Sequence, residues 1–220
     1  MTLEEQFDQS LPPAFSLPDA FRRLFSWIES RSLYVDTRSG RIGFLYPEAE
    51  MKAGWTRSGR PGGTNIEFAA EGNANLKYWF GHERSEVIER LYVFAKTGAE
   101  GSMAAFWLDQ TGRQRIVHLG SGSGSTMVCV LADDPVDFLR LLAIGYDEIC
   151  WGDQFAVRPE DMQEELSFIV SPNRDFQNWV KTTFGVSVPP TGIEIVPHPD
   201  DMGEPSSADD FNRWVASSVA

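Results

Sequence analysis

Histidine and cysteine are scarce in this chain, with three of the first and two of the second among 220 residues. Cys129 and Cys150 belong to no C-x-x-C pattern and have no histidine cluster near them, which argues against a structural zinc site. Two isolated thiols fit a reducing compartment better than a disulfide framework. No apolar run is long enough to span a bilayer. The N-terminus, MTLEEQFDQSLPP, lacks the charged-then-apolar order of an export signal, so the expected location is the cytoplasm. Positive charge is in deficit as well: 19 Lys and Arg face 32 Asp and Glu, a formal net charge of −13. A surface so negative repels phosphate backbones and anionic membranes, so neither nucleic acid nor membrane is an expected partner. It attracts a basic protein instead.

What is present suits a packed globular chain: 42% hydrophobic and 12% aromatic residues, including seven Trp and fifteen Phe. The most ordered pattern runs from Ser102 to Glu148. MAAFWL (103–108), RQRIVHL (113–119) and TMVCVL (126–131) read as three strands, joined by a Gly112 turn and a GSGSGS loop (120–125). Asp134 and Pro135 then open a helix that Gly145 stops. Its residues Val136, Phe138, Leu139, Leu141, Leu142 and Ile144 leave little polar surface, so this helix is expected to be enclosed.

Upstream, residues 1–15 read as a loose leader, and Ser16-Leu17-Pro18-Asp19 as a capping pattern. Leu17, Phe21, Leu24, Phe25 and Ile28 follow at helical spacing. Two hairpins are expected next, one turning at Thr37–Gly40 and one, formed by 65–69 and 76–80, at Glu71–Asn73. The glycine-rich stretch 53–63 between them carries Trp55. Residues 83–91 predict a short helix, and 92–95 fit either helix or strand. After Trp151 an acidic loop leads to two echoed segments, Asp175–Val180 and Asp210–Val215. Each sets Phe, Trp and Val at i, i+3 and i+4 behind an acidic residue, the stripe of a short docking helix. Residues 185–199 between them suit an edge strand. The expected organisation is a domain over residues 1–151 with a C-terminal extension, 152–220, packed on it. The expected class is α+β: a mixed, mainly antiparallel sheet with helices packed on one face, plus a C-terminal helical appendage.

Chemistry-bearing motifs are thin. The GSGSGS loop has G-x-G-x-G spacing, precedes a strand and lacks the P-loop lysine, so it predicts a flexible connection rather than a phosphate cradle. His82-Glu83 starts like a zincin helix but lacks the second histidine. His118 alternates with Ile116 on a strand, and His198 stands between two prolines ahead of Asp200-Asp201. No cofactor and no metal are implied. A hydrolase using converging carboxylates and a histidine stays open as the rival class, because 32 acidic residues offer many pairs.

The order of strand, glycine turn, strand, loop, strand and Asp-Pro-capped helix, from Gly101 to Ile149, resembles the second half of the Smi1/Knr4 (SUKH) superfamily. The resemblance covers about a quarter of the chain. It implies an α+β domain without enzymatic activity: bacterial members are similar to immunity proteins that bind and neutralise a toxin, and fungal members resemble regulatory scaffolds. It carries over no catalytic residue. The expected partner is therefore a protein, a basic toxin among the candidates, met by the acidic–aromatic run Asp147, Glu148, Trp151 and Asp153, with Trp55 as second choice.

Overall fold

The computed structural model describes residues 1–47, 49–50, 59–62, 65–164 and 169–219. Among the described residues nine strands are present: β1 (Tyr34–Thr37), β2 (Gly40–Gly43), β3 (Gly59–Gly62), β4 (Glu67–Gly72), β5 (Leu91–Lys96), β6 (Met103–Leu108), β7 (Gln114–Leu119), β8 (Val128–Ala132) and β9 (Ile169–Pro172). Seven of them form one antiparallel sheet in the order β1-β2-β4-β5-β6-β7-β8. β3 and β9 make a separate parallel pair. The helices named among the described residues are α1 (Leu3–Ser10), α2 (Asp19–Ser30), α3 (Leu76–Phe80), α4 (Ser85–Ile88), α5 (Pro135–Ile144), α6 (Arg174–Phe184) and α7 (Asp210–Ser218). The class is α+β.

Strand alternation sorts the apolar residues onto two faces. Tyr92, Phe94, Ala104, Phe106, Ile116, Cys129 and Leu131 point to the face covered by α1, α2, α5 and α6. There Phe21 of α2 meets Phe94 and Phe106 edge-on, at 5.0 and 5.1 Å between centroids, and stacks on Phe138 of α5 at 5.8 Å. Leu91, Val93, Trp107, Val117, Val128 and Val130 point the other way, onto a smaller layer built by α3, α4 and α7. The two echoed Phe-Trp-Val segments thus join cores on opposite sides of one sheet: Phe176 and Val180 the first, where Phe176 packs on Trp27 of α2, and Phe211, Trp214 and Val215 the second.

Several local expectations hold for their stated reasons. Asp134 Oδ1 accepts the Val136 N–H at 2.7 Å, and Gly145 ends α5 at φ +107°. Thr37 pairs with Gly40 across the first hairpin, where Gly40 takes φ +134°. Residues 91–96 settle as strand rather than helix.

Others are corrected. The supposed leader is α1, started by a capping box between Thr2 and Glu5 and docked through Leu3 and Phe7. A two-residue apolar stripe is too short to register as periodicity. The S-x-x-D pattern does not cap α2: Pro18 takes the cap position, and both backbone groups of Ser16 bond the Gln114 side chain at 3.0 and 2.9 Å. Residues 76–80 form helix α3 instead of a second hairpin arm, because Leu76 and Phe80 lie one turn apart and both face the sheet. Residues 185–199 hold a 3-10 turn at Gly192–Glu194, and the strand of the extension is β9.

Candidate protein-binding face

Beyond α5 one phenol ties two separate turns of the chain together. Tyr146 is buried, its hydroxyl accepts the Gly192 N–H at 2.9 Å and donates to the Val157 carbonyl at 2.9 Å. Its ring packs on Phe155 at 5.5 Å. These contacts lock two 3-10 turns, Gly152–Ala156 and Gly192–Glu194, against each other. A Cβ at position 192 would lie 2.8 Å from Phe155 Cγ, so only glycine allows this approach.

The turns tied together in this way leave Val157 and Ile193 40% and 38% exposed: the Val157 carbonyl and the N–H of Gly192, the residue before Ile193, share the Tyr146 hydroxyl. Asp153, Glu160, Asp161 and Glu194, on the same two stretches of chain, are exposed as well. Arg158 pairs with Asp161 at 2.7 Å and lies 3.7 Å from Glu160, leaving the patch net negative. An aliphatic centre with a charged rim is the anatomy of a protein contact surface.

The five residues singled out in the sequence separate. Asp153 is exposed beside this patch, and Trp151 is half-buried at its start. Glu148 turns inward: its carboxylate accepts the Ala99 N–H at 3.0 Å and the Trp151 indole N–H at 2.8 Å. Asp147 is half-buried, with its carbonyl accepting the Asn65 N–H at 3.3 Å. Trp55 lies outside the described residues. Val157, Glu160, Asp161, Ile193 and Glu194 were not anticipated. The turn that gathers them depends on a contact between residues 146 and 192, which no local pattern announces.

The histidines and thiols are mostly occupied. His118 is fully buried on β7: Nδ1 donates to the Met127 carbonyl at 2.9 Å, and Nε2 accepts the Thr97 hydroxyl at 2.9 Å. Burial pushes its pKa down to about 4, against smaller opposing effects of the Met127 carbonyl and Glu100. His82 Nε2 donates to the Ser218 carbonyl at 2.9 Å, closing the end of α7. His198 is exposed. Cys129 and Cys150 are buried, and burial raises both thiol pKa values, reinforced at Cys150 by Glu148 and Glu100. Among the described residues no group of three His, Cys, Asp or Glu side chains is placed to hold a metal ion. Among them, too, no helix is long and apolar enough to cross a membrane.

The GSGSGS loop joins β7 to β8 and closes on itself, with Gly122 N–H donating to Ser125 O and Gly124 N–H to Ser121 Oγ. No family model matches this chain, and comparisons with curated proteins and with solved structures give no significant match.

Proposed function

We propose that this chain is a non-enzymatic binding protein of the Smi1/Knr4 immunity kind, which neutralises a basic toxin by covering it. The observation that carries the reading is the set of exposed carboxylates, Asp153, Glu160, Asp161 and Glu194, on the two stretches that carry exposed Val157 and Ile193 and that Tyr146 ties together. Rigid side chains lose little entropy on binding, and these carboxylates steer a positively charged partner onto the aliphatic pair. The net charge of −13 works in the same direction at longer range. The rival hydrolase reading gains nothing from His82 or His118, whose ring nitrogens are engaged in structural hydrogen bonds.

The test is a pair of charge insertions at the centre of the patch, Val157→Arg with Ile193→Arg. Both positions are exposed, so folding should persist. Affinity for a basic protein partner isolated from the native host should fall by about 100-fold or more, as for loss of a hydrophobic centre combined with like-charge repulsion. Unchanged affinity would remove this face from the account.

A further inference from the structure

The outer side of α2 and α6 bears a different kind of surface. An open groove of about 470 Å³ is lined by Arg23, Ser26, Trp27, Arg31, Trp179 and Thr183, among others. Among the described residues, Arg23 and Arg31 have no carboxylate within ion-pair distance, and the Ser26 and Thr183 hydroxyls make no side-chain hydrogen bond. The indole N–H of Trp27 likewise lacks an acceptor, although Trp27 is only 4% exposed. Arg22 at the rim is different, since Glu4 and Asp8 already hold it at 2.6 and 2.8 Å. Arg23 and Arg31 contact aromatic rings, Phe184 at 6.0 Å and Trp27 at 4.7 Å, but these groups, all able to donate and two of them positively charged, have no acceptor among the described residues, on a chain whose net charge is −13.

We infer that this groove binds a small oxyanion, a phosphate or carboxylate, carried on a flat apolar body. The oxyanion supplies the acceptors and negative charge that these donors lack, with guanidinium groups giving charge-assisted bonds. The flat body rests against half-buried Trp179, which lies 5.6 Å from the Trp27 ring. The Arg31 guanidinium now covers the Trp27 ring, 4.7 Å from its centroid. In this assignment it moves from the ring onto the anion, and the indole N–H offers the bound oxygen a further donor. A buried N–H without a partner is unfavourable in the empty groove and favours that exchange. The site shares no residue with the acidic face, so either assignment can fail without the other.

The experiment titrates the full chain with phenyl phosphate and follows the indole N–H resonances by two-dimensional NMR, with Trp27 assigned from its loss in Trp27→Phe. The Trp27 and Trp179 signals should shift saturably, and the Trp107 signal should not. Phenol should leave all of them in place, and inorganic phosphate should bind about tenfold more weakly or worse. The Arg23→Ala, Arg31→Ala double variant, altered at two exposed positions, should lose at least about tenfold in affinity while its remaining resonances keep their folded dispersion. No saturable shift at Trp27 and Trp179, an equal response to phenol, or undiminished binding by the double variant would overturn the assignment.

Discussion

The Asp209 carboxylate accepts the backbone N–H of Val130 at 2.9 Å, so the cap of the last helix also closes the last strand of the sheet. Its other oxygen accepts the Asn212 N–H at 2.8 Å, the ordinary N-cap bond of α7. The surrounding tail completes the cover. Val128 N–H donates to Asp200 O at 2.9 Å, Met202 N–H to Thr126 O at 2.7 Å, and Asn212 Nδ2 to Val128 O at 2.8 Å. An edge strand that would otherwise be open to another chain is thereby occupied.

Asp209→Ala should therefore cost more than an ordinary cap. It removes the α7 cap and leaves the buried Val130 N–H without an acceptor, about 2–3 kcal/mol together. Urea denaturation of the variant should show that loss in the midpoint, and a loss of only a few tenths would mean that water replaces the carboxylate.

Acid should destabilise the protein through His118. Its folded-state pKa, near 4, lies below the ordinary 6.5, so the unfolded chain binds the proton first as pH falls. The stabilising effect of keeping the ring neutral is fully present above pH 6.5 and is lost progressively towards pH 4, on the order of 3 kcal/mol in all. Burial pushes the Asp209 carboxyl the other way, so the histidine part is read as a difference between wild type and His118→Leu. The variant should be less stable at neutral pH yet show a shallower fall through this window. Parallel curves would refute the assignment.

Glu148 and Asp153 looked equivalent in the sequence, and the structure predicts opposite behaviour for them. Glu148→Lys should lose about 2 kcal/mol or more of stability, because it breaks the bonds to Ala99 and Trp151 beside a buried thiol. Asp153→Lys, at an exposed position, should stay within about 0.5 kcal/mol of wild type. Thermal unfolding of the two variants decides this.

Gly192→Ala places a methyl group 2.8 Å from Phe155 Cγ and should cost about 1–3 kcal/mol. The strain falls on the turn that presents Ile193, so affinity for the basic partner should drop together with stability. Loss of stability with unaltered affinity would show that the frame around Tyr146 does not organise the contact face.

The sequence revealed the elements whose signals are local. The Asp134-Pro135 start and Gly145 stop delimit α5, and the repeated Phe-Trp-Val spacing marks α6 and α7. It did not reveal that α6 and α7 join cores on opposite sides of the sheet, because the two stripes look alike and only tertiary placement separates them. Leu76–Phe80 was misread because five apolar-rich residues satisfy helix and strand patterns equally well. Of the acidic run 147–153, Asp153 is exposed, whereas Asp147 and Glu148 are half-buried. The aliphatic pair escaped notice because Val157 and Ile193 are 36 residues apart in the chain, and the turns that carry them are tied together only in the fold, through the Tyr146 hydroxyl.

The central claim, a negative face that captures a positively charged protein, is tested most directly by stopped-flow association at several salt concentrations. The account predicts fast association that slows steeply as salt rises, and an Asp153→Lys, Glu160→Lys variant that associates about tenfold more slowly at low salt with its dissociation rate little changed. An association rate indifferent both to salt and to the two reversals would contradict it.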